Sequence, residues 1–159
     1  MTTTNITAEP IHDAAPIAAT QARRGRVLLC DDDIFILRAG ELKLRHAGFE
    51  VCFAHDGLQA WEMLGGDNEP FNVLVTDRQM PRMDGVELIQ KIRGADQAWL
   101  RELPIILLTS RAHDLGECAV SMTMDKPFSP RNLVRQVEQL CHLDELAAGQ
   151  PADTSAAQQ

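Results

Sequence analysis

The chain has 159 residues, 45% of them hydrophobic and 24% charged, with a formal net charge of −8. These are globular values, with length for one ordinary domain and a real core, and they exclude a wholly disordered chain. The acidic balance, with a pI near 5.0, disfavours a nucleic-acid partner, because like charge repels the phosphate backbone. No apolar run approaches the roughly 20 residues that span a bilayer, so no membrane partner is expected. Met1–Ile6 has no basic segment followed by an apolar one, so no secretory leader is read there. Cys30, Cys52, Cys118 and Cys141 form no C-x-x-C pair. Each lies in or beside apolar sequence and reads as a buried thiol of a reducing, cytoplasmic protein.

Residues 1–25 are rich in Thr, Ala and Pro without period, and residues 143–159 end in small polar residues. Both read as flexible tails, because neither can bury enough apolar surface to offset its ordering entropy. Between them, strand-like and helix-like segments alternate. Arg26–Cys30 is a short apolar strand. Ile34–Ala47 follows as a helix with Ile36, Gly40, Leu44 and Ala47 on one stripe, stopped by Gly48. Glu50–Ala54 is strand-like, and Asp56 can cap a helix that turns Ala60, Trp61 and Leu64 inward. Phe71–Thr76 is a third strand, followed by a helix over Gly85–Arg93 with Leu88, Ile89 and Ile92 inward. Pro104–Leu108 is a fourth strand and Val120–Met124 a weaker fifth. Ser129-Pro130 opens a last helix carrying Leu133, Val134, Val137, Leu140 and Cys141 at helical spacing.

Strands apolar on both faces, separated by amphipathic helices, imply a parallel sheet covered on both sides. Five such units in one domain over residues 26–142 predict an α/β, flavodoxin-like, doubly wound five-stranded parallel sheet. Ligands of that architecture bind outside the carboxyl ends of the strands. The strand ends carry Asp31-Asp32-Asp33, Asp77, Thr109-Ser110 and Asp125-Lys126-Pro127. Carboxylates brought so close repel one another, and an all-oxygen set suits a small hard dication, Mg²⁺ above all. A lysine opposite that metal leaves a gap between two positive charges, which suits a phosphoryl group.

The ordered set VLLCDDD, VLVTDRQMPRMDG, PIILLTS and DKPF resembles the receiver domain of two-component response regulators over about Arg26 to His142. No output domain is read after it, so a stand-alone receiver, similar in layout to chemotaxis-type and phosphorelay regulators, is the expectation. The resemblance implies that Asp77 is the phosphoacceptor. It implies Mg²⁺ held by Asp31, Asp32, Asp77 and the backbone carbonyl of Gln79. Thr109 and Lys126 would bind the phosphoryl group, and Lys126-Pro127 would be a cis peptide. The implied partners are a sensor histidine kinase or histidine phosphotransfer protein and a downstream protein target. The chain would be a phosphoacceptor rather than a turnover enzyme.

Three features depart from the family pattern. Only 17 positions separate Thr109 from Lys126, fewer than the resemblance implies. The fourth helix, between the fourth and fifth strands, is therefore expected to be shortened or absent. The chain has no Tyr, and the aromatic switch position, three before the lysine, is Thr123. Arg78 and Arg111 flank the acceptor region and are candidate modulators of phosphoryl lifetime. Two other readings compete: a pseudo-receiver adaptor that binds partners without phosphorylation, and a Mg²⁺-dependent phosphohydrolase. The second usually needs a further acid two residues after its nucleophile, where this chain has Gln79.

Overall fold

The computed structural model describes residues 23–66, 69–110 and 118–148. Five strands, β1 (Arg26–Cys30), β2 (Glu50–Ala54), β3 (Val73–Asp77), β4 (Ile105–Thr109) and β5 (Met122–Asp125), form one sheet in the order β2-β1-β3-β4-β5. All four pairings are parallel. The helices are α1 (Ile34–His46), α2 (Gly57–Gly65), α3 (Gly85–Arg93), α4 (Ala98–Glu102) and α5 (Pro130–Ala148). The flavodoxin-like α/β fold read from the sequence is the fold observed.

Alternation along the strands assigns the two faces. Val27, Leu29, Val73, Val75, Ile106 and Leu108 face α1 and α5, where they meet Leu37, Leu44, Leu133 and Val137. Leu28, Cys30, Leu74, Ile105 and Leu107 face the other way, onto Ala60 and Leu64 of α2, Leu88 and Ile92 of α3, and Leu100. Each fully buried Leu or Ile contributes about 1.5–3 kcal/mol of transfer free energy, so two such layers carry most of the stability.

The caps are local and legible. Asp33 accepts the Phe35 N–H at the start of α1 at 2.9 Å. Asp56 does the same for Gln59 at the start of α2, at 2.8 Å. Asp84 and Glu87 exchange side-chain and backbone bonds in a capping box at α3. Gly48 takes a φ of 93° just past α1, which a residue with a Cβ adopts only under strain.

Several sequence readings shift. The inward position of α1 is Leu37, with Ile36 only half-buried. β5 begins at Met122 rather than Val120, because its register is set by pairing with β4 (Ile106 opposite Met122). α4 had no counterpart in the sequence reading. α5 continues to Ala148, so residues 143–148, assigned to a tail, are helical. Arg23 and Arg24, assigned to the other tail, reach Glu50 (2.9 Å) and Glu138 (2.6 Å). Of the four cysteines only Cys30 is buried; Cys52, Cys118 and Cys141 are half-buried, and none is in a disulfide. Ser110 and Cys118–Ser121 carry no helix, and the rest of the segment between β4 and β5, where a shortened helix was expected, lies outside the described residues. No helix among the described residues is long and apolar enough to cross a membrane.

Candidate functional site

The parallel register brings the carboxyl ends of β1, β3, β4 and β5 to one edge. Cys30 lies opposite Thr76, Asp77 opposite Leu108, and Thr109 opposite Asp125. The residues that follow therefore converge without further design. Asp31 and Asp77 are 1% and 8% exposed, so their charges are largely removed from bulk water, whereas Asp32 is exposed. One oxygen from each of Asp31, Asp32 and Asp77 lies within 4.8 Å of the others.

Lys126 bridges the two buried acids. Its Nζ donates to Asp31 Oδ2 at 2.7 Å and lies 3.1 Å from Asp77 Oδ1. The other Asp31 oxygen accepts the Asp33 N–H at 2.9 Å, so both oxygens of Asp31 are engaged. The Lys126 N–H donates to the Thr109 carbonyl at 2.8 Å, and Lys126-Pro127 is cis. Thr109 is buried at the end of β4.

Burial raises the Asp77 carboxyl above its ordinary range, the Asp31 charge adds to the rise, and Lys126 counters it. For Lys126, burial disfavours the ammonium. The hydrogen bond to Asp31 and the charges of Asp31 and Asp77 outweigh it, so its pKa lies above the ordinary lysine value. Two buried acids, one exposed acid and one ammonium leave negative charge in excess. The all-oxygen donor set fits a small hard dication, which would relieve that excess.

The loop after Asp77 is folded back tightly. The Gly85 N–H donates to the Arg78 carbonyl at 2.9 Å, and a Cβ at Gly85 would overlap the carbonyl oxygen of Asp77. Glycine is required there by close backbone approach. Gln79 is exposed in this loop. Arg78 is half-buried, and its N–H donates to the Leu108 carbonyl at 3.0 Å. Thr123 is exposed on β5 opposite Leu107. Arg111 lies outside the described residues. Beside Lys126, a groove of about 500 Å³ is lined by Phe35, Ile36, Ala39, Pro127 and Phe128. Phe35 is 82% exposed at its rim. Sequence reasoning did not find the ion pair between Arg82 and the buried Asp56, or the approach of Cys30 Sγ to Met80 Sδ at 3.4 Å. Asp56 was legible only as a cap, because its second partner comes from another loop.

The fold and this edge define a doubly wound domain with an acid-and-lysine pocket at the carboxyl ends of its strands. The family model of the response regulator receiver domain matches residues 27–138, and the chain belongs to that family. It is 31% identical over 137 residues to response regulator MprA of Mycobacterium ulcerans, covering 82% of this chain and 56% of that protein. It is 32% identical over 119 residues to chemotaxis protein CheY1 of Helicobacter pylori, covering 71% of this chain and 94% of that protein. The chain spans about half the length of the first curated relatives it matches. Among solved structures, the chemotaxis response regulator CheY4 of Vibrio cholerae superposes with a TM-score of 0.65 at 28% identity, over 73% of this chain and 98% of that one. A CheY-like receiver domain protein of Methanospirillum hungatei gives 0.67 at 27% identity, over 77% and 98%.

Proposed function

We propose that this chain is a phosphorylatable signalling switch that takes a phosphoryl group onto Asp77. The donor would be a phosphohistidine of a sensor histidine kinase or histidine phosphotransfer protein, in the cytoplasm, and the reader a downstream protein. What carries the reading is the arrangement of two buried carboxylates bridged by one ammonium, with a third acid within 4.8 Å.

The chemistry follows from the parts. An Asp77 carboxylate oxygen attacks phosphorus, the phosphorus–nitrogen bond breaks, and the electron pair leaves with the imidazole. Asp31, Asp32, Asp77 and the Gln79 carbonyl would hold Mg²⁺. The ion, when bound, supplies positive charge to the oxygens of the transferring group. Lys126, already 3.1 Å from Asp77, follows the charge from the carboxylate to the new phosphoryl oxygens. The Thr109 hydroxyl, at the end of the neighbouring strand, donates to one of them. Arg78, Arg111 and Thr123 would tune the lifetime of the acyl phosphate. Added charge at this edge biases a two-state equilibrium, which is how a local reaction becomes a signal.

Incubation with acetyl phosphate and Mg²⁺, followed by intact-mass measurement, tests the reading. One added phosphoryl group is expected, abolished by Asp77→Asn and by chelator. An adduct that persists in Asp77→Asn would move the acceptor elsewhere, to Asp31 for example. No uptake at all would favour the adaptor that works without phosphorylation.

A further inference from the structure

The loop between β3 and α3 carries a strained turn. Arg82 has a φ of 66°, and the Met83 N–H donates to the Pro81 carbonyl at 2.7 Å across it. A three-residue turn of this hand is rare for a residue with a Cβ and persists only when its surroundings hold it. The Arg82 guanidinium pairs with the Asp56 carboxylate, which is 1% exposed, although Arg82 itself is 66% exposed. The next residue is held too, because the Gly57 N–H donates to the Met83 carbonyl at 3.0 Å. Asp56 is fixed in turn: its other oxygen caps α2 through Gln59, and its carbonyl accepts from Cys30 Sγ at 3.3 Å. Cys30 directly precedes Asp31.

We infer that Asp56 and Arg82 form a clasp that fixes the β3–α3 loop, and with it the backbone at Gln79 that would face the metal. Both are positioning residues. The inference rests on the acceptor reading for its functional half only. Neither residue belongs to the acid-and-lysine pocket; they act on it through the loop.

Opposite charges make the test sharp. By charge alone, Arg82→Ala should tighten Mg²⁺ binding at an acidic pocket, and Asp56→Asn should weaken it. A clasp predicts weakening in both. Asn remains a good helix cap, so α2 keeps its start. Arg82→Gly suits the left-handed backbone, so a loss in that variant does not come from strain.

The measurements are amide exchange at residues 79–83 without metal, and Mg²⁺ affinity from amide shifts of the full chain. Faster exchange is expected in Arg82→Ala, Arg82→Gly and Asp56→Asn. The expected loss of Mg²⁺ affinity is about tenfold, the lower end for residues that orient metal ligands indirectly. The double variant should lose no more than either single one, and Arg82→Lys should recover part. Unchanged exchange in folded Arg82→Ala overturns the clasp. Faster exchange with unchanged affinity, or affinity changes of opposite sign in the Arg82 and Asp56 variants, overturns its role toward the metal. Absence of Mg²⁺ binding by the unsubstituted chain overturns the acceptor reading instead, while the exchange arm still decides the clasp.

Discussion

β3 and β5 each deliver one residue of the pocket, and they are held very differently. All five residues of β3 are buried, with strands on both sides and helices over both faces. β5 is an edge strand in which only Met124 is buried. Asp77, the proposed acceptor, thus ends a fully buried strand, and Lys126 follows the least enclosed one. Moving Asp77 would disturb two packed layers. Moving Lys126 disturbs a few edge contacts and two ion pairs. On the proposed reading, the group that must stay fixed sits on the rigid element, and the group that must follow charge sits on the loose one.

The largest expected effect carries that contrast to β4, which is as fully buried as β3. Ile106 of β4 is fully buried and lies opposite half-buried Met122 of β5. Ile106→Ala should cost about 2–5 kcal/mol of unfolding free energy, as large-to-small core substitutions do. Met122→Ala should cost under about 1 kcal/mol, near the surface range. Urea unfolding followed by circular dichroism measures both, and equal losses would break the comparison. Next in size, Gly85→Ala forces a methyl against the Asp77 carbonyl and should cost about 1–3 kcal/mol, as overpacking does. Its phosphoryl uptake should fall as well, because the strained backbone is that of the proposed acceptor.

Asp77→Asn should stabilise the metal-free chain at neutral pH. Burial and Asp31 raise the folded Asp77 pKa above its ordinary value of 3.8. The stability that this group contributes is full below the ordinary carboxylate range and is lost as pH rises through the folded pKa. The variant escapes that loss. Its advantage in denaturation midpoint should therefore vanish on acidification, with chelator present throughout.

The smallest effect is alkaline. The folded Lys126 pKa lies above 10.5, so its contribution is full below that pH and fades as pH rises through the folded value. Cys30, pushed up to about 12 by burial, loses stability over a neighbouring window between its ordinary 9.0 and that value. Comparing the fall in melting temperature between pH 9 and pH 11 in the parent and in Lys126→Met isolates the lysine. An identical fall in both would mean that the β5 end contributes no charge pairing.

Much of the fold was legible because each central strand is a short apolar run between good caps. The pocket was legible because a parallel sheet places the residue after each strand at one edge, and Asp31, Asp77, Thr109 and Lys126 are all such residues. α4 was not legible. It has five residues, no side-chain cap from Gln97 and one buried residue, Leu100, so it leaves no periodic trace. The start of β5 was misread because an edge strand takes its register from its neighbour rather than from its own weak pattern. The pairing of Asp56 with Arg82 joins positions 26 apart on different loops, and no local spacing announces it. The inward residue of α1 was placed one position early because Ile36 and Leu37 are both apolar, and only packing against the sheet separates them.

Asp31 and Lys126 are 95 positions apart, so the ion pair that completes the pocket spans most of the domain. The entropy of closing such a loop grows only slowly with its length, but contacts at this separation form late in folding. A chain emerging from the ribosome has Asp31, Asp32 and Asp77 long before it has Lys126. Holding that lysine also needs α5 seated on α1 through Leu133 and Val137. During synthesis the acids precede the lysine, and Asp31 and Asp77 gain their shared ammonium only once the last helix has docked.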